Sequence, residues 1–499
     1  MPSSVRVALS VTALVLVACS EPPTPPAAPG APSLAKVRST TPQVQLVVDV
    51  SQDTTAQNET PLAVNPLNPS NWITGANDWN YNDGVAYNVS FDGGKTWSAT
   101  LPDGFIPGLT RYTNDPAVPG TGAYDAAGDP YVGYGPDGTA YFVAQAFNFF
   151  TPPYQIALYV SRSSDGGRTW SDHPVALSVW DNKIGKSKGS NGQFPDHESM
   201  TVDNNASSPF YASVYVTWVQ FNGYGTRSPV QVAFSRDGAR TFSTPVQITP
   251  ASIRNNQDAR IAIAPDGALY LTFDNGIQGG KGTANYVSVS KDGGATWSAP
   301  TLFSMYNNPV CLYPPYCFNI SGGAFRGPSS YPAPAFDARR NRIAVVYSDI
   351  DVDGRAKVFF TSATADRATS AAAWSTPRVM APGTGDRFGA ELSAASGGRL
   401  DVMFDDRSYS GNALVDVTYA SSTDGGATWN STRVSKAGFD ASQYGVPCST
   451  CVGGIRPFLG DYNGIASLSS QALMTWTGVA SKTGTANDNL EIFFGSVTP

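Results

Sequence analysis

Short runs of alternating apolar and polar residues cover most of the chain. In Tyr286-Val287-Ser288-Val289-Ser290 the valines and serines take opposite sides of an extended backbone, a period of two that a strand satisfies and a helix does not. The runs come in pairs. Residues 259–263 and 269–273 flank Pro265-Asp266-Gly267, and 131–134 and 141–143 flank Pro136-Asp137-Gly138, so each pair reads as a hairpin closed by tight-turn chemistry. A second hairpin follows, and its turn has a recurring sequence. Ser90-Phe91-Asp92-Gly93-Gly94-Lys95-Thr96-Trp97 returns as Ser163-Ser164-Asp165-Gly166-Gly167-Arg168-Thr169-Trp170, and again at 290–297 and 422–429; a looser copy at 235–242 ends in Phe242.

The residue types of this turn suit their places. The carboxylates of Asp92, Asp165, Asp237, Asp292 and Asp424 can accept turn N–H groups, glycine supplies positive φ, and the closing aromatic can wedge between neighbouring sheets. These five aspartates are therefore read as structural. Two hairpins make a four-stranded unit, and units begin near Glu59, Asp129, Asp196, Asp258, Tyr331, Gly389 and Gly460. Repeated four-stranded units are the signature of propeller blades. The predicted fold is all-β, a β-propeller of seven four-stranded blades, with six the alternative if one unit is misread. The fifth unit keeps strands at 343–347 and 357–361 but loses the turn motif before Trp374. The seventh supplies three strands, ending at 490–495, and residues 44–50 are its missing fourth, which closes the ring and removes an open edge.

Composition narrows the partners. The 499 residues carry a formal net charge of −7 with only 14% charged side chains, which argues against nucleic acid. At the N-terminus, Arg6 precedes an apolar run at 11–18 that is too short to span a bilayer and reads as the end of a signal peptide, residues 1–18. Leu16-Val17-Ala18-Cys19 resembles the bacterial lipobox, which implies lipidation of Cys19. Residues 19–39, rich in Pro and Ala, form a tether, and 40–499 the propeller. The expected protein is an extracytoplasmic, membrane-anchored or cell-surface monomer that touches the membrane only through its lipid. In that oxidising compartment the remaining cysteines are expected to pair as Cys311 with Cys317 and Cys448 with Cys451, although four cysteines permit three connectivities and a four-cysteine zinc site is the alternative.

The Ser-x-Asp-x-Gly-x-Thr-Trp turn resembles the Asp-box, or BNR, repeat of bacterial sialidases and related propellers. The resemblance covers about residues 40–499 and implies a sialidase-like β-propeller, a fold met in secreted glycosidases and glycan-binding proteins, with a glycan or glycoconjugate as partner. It implies less about chemistry, because the box is a structural turn and the fold hosts unrelated functions.

Propeller geometry says where chemistry would lie. If the box joins the third strand to the fourth, the long connections 98–128, 171–195, 298–330 and 435–459 all lie on the opposite face, because they follow fourth strands. Residues that open the innermost strands converge on the axis at that face. They are Glu59, Asp129, Asp196 with His197 and Glu198, Asp258 with Arg260, Tyr331, Glu391, and Asp461 with Tyr462. Crowded carboxylates raise one another's pKa and can divide acid and base roles. Such a ring would also suit calcium, while no motif calls for a metal or another cofactor.

A sialidase, as the resemblance implies, needs arginines for the substrate carboxylate, a tyrosine nucleophile with a carboxylate partner, and a separate acid. The candidates are Arg260, Arg387, Arg407 and Arg456; Tyr331 or Tyr462; Glu198 or Glu391; and Asp129 or Asp461. The sequence departs from the family in having no Arg-Ile-Pro segment before the first box; Ile455-Arg456-Pro457 is reversed and at the wrong end. Trp79, Tyr81, Phe147, Phe149, Phe150, Phe221 and Tyr224 offer flat faces for sugar stacking or for loop packing. Three arginines converging on one pocket would favour a sialidase, two facing carboxylates another glycoside hydrolase, and neither a non-catalytic glycan- or protein-binding propeller.

Overall fold

The computed structural model describes residues 41–499 except 53–54, 80–83, 99–104, 114–116, 149–151, 153, 182–192, 223–226, 277–283, 307–324, 326–329, 382, 449–450, 452–453 and 481–488. Cys19 with the rest of 1–40, Cys311, Cys317, Tyr81, Phe149, Phe150 and Tyr224 lie outside the described residues.

Seven four-stranded antiparallel sheets follow one another along the chain, one per predicted unit, so the count is seven blades and not six. Blade two shows the plan: Ala126–Tyr134, Ala140–Phe147, Gln155–Ser163 and Val175–Asp181 pair in order from the axis outward. In blade seven the inner strands are Gly464–Ser467, Ala472–Val479 and Leu490–Thr498, and the outer strand is Gln43–Asp49, with Gln43 opposite Thr498 and Asp49 opposite Phe493. First and last strands of the propeller are thus hydrogen-bonded, and the ring closes as the alternation at 44–50 predicted.

The recurring turns explain their own sequence. Asp92 Oδ1 accepts the backbone N–H groups of Lys95 and Thr96, each at 3.0 Å, while Oδ2 accepts the Thr96 hydroxyl at 2.7 Å. The Ser90 hydroxyl accepts Gly94 N–H at 2.8 Å and donates to Asp92 at 2.9 Å. The closing aromatic then leaves its own blade. Trp97 packs on Phe494 of blade seven, Trp170 on Tyr87 of blade one, and Trp429 on Phe360 of blade five. In blade five, where the turn motif has degenerated, Trp374 still stacks on Phe303 of blade four, ring centroids 4.3 Å apart. The wedge therefore outlasts the turn, because burying an aromatic between sheets stabilises more than one hydrogen-bonded turn does.

Neighbouring blades are also joined through the turns. Asn71 of blade one donates to Gly166 O of the next blade's turn at 3.0 Å, Arg236 of blade three to Gly293 O, and Arg378 of blade five to Gly426 O at 2.7 Å. On the opposite face a disulfide joins Cys448 to Cys451, next to a small ribbon in which Val446–Pro447 pairs with Ile455–Arg456.

Candidate functional site

Inner strands do not run straight to the axis. In blades two, three, four and six the ladder slips at the start of the inner strand, between Gly128 and Tyr131, Asp196 and Ser199, Gln257 and Arg260, and Phe388 and Glu391. At the slip the backbone turns left-handed: φ is 53° at Asp129, 53° at His197, 49° at Asp258 and 61° at Gly389, with 63° at Glu59 in blade one and 97° at Gly460 in blade seven. A left-handed non-glycine residue costs of order 1–3 kcal/mol, and such strain gathers where a side chain must be aimed. Four of these six positions hold Glu, Asp or His.

The repeated bulge builds a polar plug across the axis. Glu59 accepts Asn77 Nδ2 at 2.6 Å and the Asp461 backbone N–H at 3.1 Å, and Asn77 Oδ1 accepts Asp129 N–H at 2.7 Å, which links blades seven, one and two. His197 faces Asp258 through Nδ1 at 3.4 Å and Asp461 through Nε2 at 3.2 Å. Arg260 donates to Asp258 at 2.8 Å and to Glu391 of blade six. The Tyr462 hydroxyl donates to Pro130 O at 2.7 Å, and Tyr331 from the segment before blade five sets its ring against His197, centroids 4.7 Å apart. A cavity of 80 Å³ continues along the axis below Arg260, Glu391 and Tyr131, toward Thr201 and Ile465.

Most of these groups are buried, but Asp129 and Asp196 are only half-buried. Asp129 lies close enough for its charge to act on Asp196. Each is steadied by an amide: Gln145 donates to Asp129 at 2.8 Å and Gln257 to Asp196 at 2.5 Å. Burial and then the Asp129 charge push Asp196 up to about 7. Burial also drives Glu198 well above the usual carboxylate range, helped by Asp129; Glu198 is 1% exposed, and neither of its oxygens has a well-formed hydrogen-bond partner. Burial lifts Glu391 to about 7 despite Arg260, and Asp274, bound to the Tyr306 hydroxyl at 2.8 Å, to about 8. Tyr462 is raised well above its ordinary value by burial and by the charges of Glu59, Asp129 and Glu198.

The structure brings Asp129, Glu198, Glu391, Asp461, Tyr331, Tyr462 and Arg260 together at the axis. It does not bring the other three arginines there. Arg387 donates to Asp406 at 3.1 Å and to Ala381 O, Arg407 sits 3.6 Å from Asp386 and over the Phe325 ring, and Arg456 is exposed on the disulfide loop. Trp79 is partly buried with Nε1 on Asn58, Phe147 is half-buried at the end of its strand, and Phe221 is buried in a stack on Phe194. Among the described residues no group of three or more His, Cys, Asp or Glu side chains is arranged to hold a metal ion.

Sequence reading missed the amides. On second strands the residues facing the slip are Asn77, Gln145, Asp274 and Asp405, opposite Asn58, Gly128, Gln257 and Phe388, while blade three has Val219 there, opposite Asp196. A polar residue at one register position in four blades was a legible signal, recoverable by aligning the units on their second strands. The closeness of Asp129 to Asp196 had no such signal, because it joins different blades.

The family model of the BNR/Asp-box repeat matches residues 89–99. No curated protein matches the chain. Among solved structures, a protein of unknown function from Dyadobacter fermentans aligns over 92% of this chain and 99% of its own at 11% identity, TM-score 0.49. The leech intramolecular trans-sialidase aligns over 78% and 71% at 13% identity, TM-score 0.48. The Penicillium chrysogenum alpha-L-arabinanase aligns over 91% and 98% at 12% identity, TM-score 0.44. The chain is a seven-bladed β-propeller that carries the BNR/Asp-box repeat at residues 89–99.

Proposed function

We propose that the axial mouth on the loop-rich face is the reactive site of a glycoside hydrolase, with Asp129 and Asp196 as its acid–base unit. One observation carries this reading: two half-buried carboxyls, Asp129 steadied by Gln145 and Asp196 by Gln257, stand next to the buried acid Glu198 and the Tyr462 hydroxyl. Burial and the nearby Asp129 charge raise Asp196 to about 7, so Asp196 can both give and take a proton near neutral pH. The arginines argue against sialic acid. Arg260 is shared between Asp258 and Glu391, and Arg387, Arg407 and Arg456 stand elsewhere, so among the described residues no three-arginine clamp for a substrate carboxylate is assembled.

The test is sugar release from a panel of neutral glycosides and sialosides by the protein and its D129N and D196N variants. Release from a neutral glycoside that falls about 100-fold or more in both variants supports the reading. Release unaffected by either variant would remove the pair from the chemistry, and no release from any glycoside would remove hydrolysis. A second reading, a non-catalytic glycan- or protein-binding propeller, is favoured by the arginines: Arg260 is already shared between Asp258 and Glu391, and Arg387 and Arg407 are held at Asp406 and Asp386. On the sequence we also place the protein outside the cytoplasm, held by lipid on Cys19; C19A should release it from the membrane fraction.

A further inference from the structure

We infer that His197 is a positioning residue that carries a permanent positive charge, an imidazolium clamped between Asp258 and Asp461, and not the general acid or base of the site. Its functional meaning rests on the axial mouth being the reactive site, but its test needs no substrate.

The argument is geometric. Both ring nitrogens face carboxylate oxygens, Nδ1 at 3.4 Å from Asp258 and Nε2 at 3.2 Å from Asp461, and an ionised carboxylate only accepts hydrogen bonds. A neutral imidazole would turn one lone pair against one of them. Asp258 also accepts Arg260 Nε at 2.8 Å, so the same Oδ1 faces both Arg260 and the His197 ring. The ring is 4% exposed, walled by Tyr331 and Tyr462 at centroid distances of 4.7 and 6.0 Å, and carried on a left-handed residue that aims it across the axis. A histidine so enclosed has no path to a substrate proton.

Its surroundings agree. On its own strand Asp196 and Glu198 flank it, and Asp129 reaches Asp196 from blade two. Blade four presents Asp258 and Arg260 from its inner strand and Asp274 from its second. Blade seven presents Asp461 and Tyr462, and Glu59 of blade one holds the Asp461 backbone. Against these acids the other axial cation is Arg260, already shared between Asp258 and Glu391. Burial alone would discharge the ring, yet the hydrogen bonds to Asp258 and Asp461 hold it well above the ordinary histidine range. The proton that the site exchanges near neutrality then belongs to Asp196, next to a cation that does not change.

The sequence makes the charge measurable, because it has two histidines. In the full-length protein labelled with nitrogen-15 histidine, H173Q removes the signals of His173, whose side chain is 91% exposed, and so assigns the buried ring. At pH 7.5 both His197 nitrogens should be protonated; one unprotonated nitrogen at that pH overturns the inference. A double-variant cycle tests the clamp, with asparagine chosen because it tolerates left-handed backbone. At pH 7.5 H197N should lower Tm by about 5 °C or more, by leaving two buried carboxylates uncompensated. Adding D461N should then recover at least half of that loss, although D461N alone lowers Tm. Losses that simply add would make His197 a packing residue and overturn the inference. Should H197N fail to fold, the nitrogen spectrum of the unaltered ring still decides. Neither measurement depends on sugar release, so failure of the hydrolase reading and failure of this one are separately visible.

Discussion

Asp292 devotes its carboxylate to a single turn, accepting Thr296 N–H at 2.9 Å and the hydroxyls of Ser290 and Thr296. Those bonds, the Thr296 hydroxyl first, hold it down at about 2. Its folded value lies below its unfolded one, so its contribution is present above the ordinary carboxylate range and is lost as pH falls toward 2. D292A should cost about 1–2 kcal/mol, the loss of a few turn hydrogen bonds, read by calorimetry at pH 7. The difference from the unaltered protein should shrink in acid. An unchanged Tm at pH 7 would show that the aromatic wedge alone holds the blade. Asp196 is the opposite kind of residue, raised to about 7 by burial and by a carboxyl from another blade. The role of Asp292 was legible because its partners lie within six residues, whereas the neighbours of Asp196 are 67 and 61 residues away at Asp129 and Gln257.

At the scale of elements, blades are joined by close approach at the turn glycines. A Cβ at Gly426 would stand 2.4 Å from the Phe360 ring of blade five, and φ there is 85°. At Gly354 φ is 75°, yet a Cβ would meet nothing within 4 Å. The pair separates backbone strain from steric conflict. G354A should cost about 1 kcal/mol and G426A at least about 3 kcal/mol by denaturant unfolding, the excess measuring the inter-blade contact. Equal costs would mean that Phe360 moves aside freely. The strands and turn glycines were legible in the sequence because alternation and turn chemistry are local. The loss of ladder register at the axis was not, since a bulge leaves no residue type that alternation can detect.

For the molecule as a whole, the axial acids set the response to pH. Asp196 and Glu391 at about 7 and Asp274 at about 8 keep protons when folded that they release near pH 4 when unfolded. Raised folded values mean that the folded state binds more protons across that window, so stability is greatest at its acid end and is lost as pH rises through 7 and 8. Tm should therefore fall by several degrees between pH 5 and pH 8.5, and E391Q combined with D274N should flatten the decline. A Tm that rises over that range would contradict these protonation states. Below pH 4 the box aspartates protonate and stability should turn down again, leaving a maximum in mildly acidic solution.

The sequence by itself determined the repeated four-stranded units, the turn that carries them, the closure by residues 44–50 and the convergence of acidic strand openers on one face, while the count of seven against six was decided by the sheets. Each of these depends on spacing along one strand or one hairpin, and topology carries such local rules through the ring. Only the tertiary structure decided which carboxyls are buried at the axis and which arginines are already bound. It alone sets Arg260 between Asp258 and Glu391, leaves Arg387, Arg407 and Arg456 away from it, and encloses His197 between two acids. The physical reason is that charge interactions at the axis depend on distances between blades, and those distances are fixed by the closing of the ring and by bulges that no run of residues encodes alone.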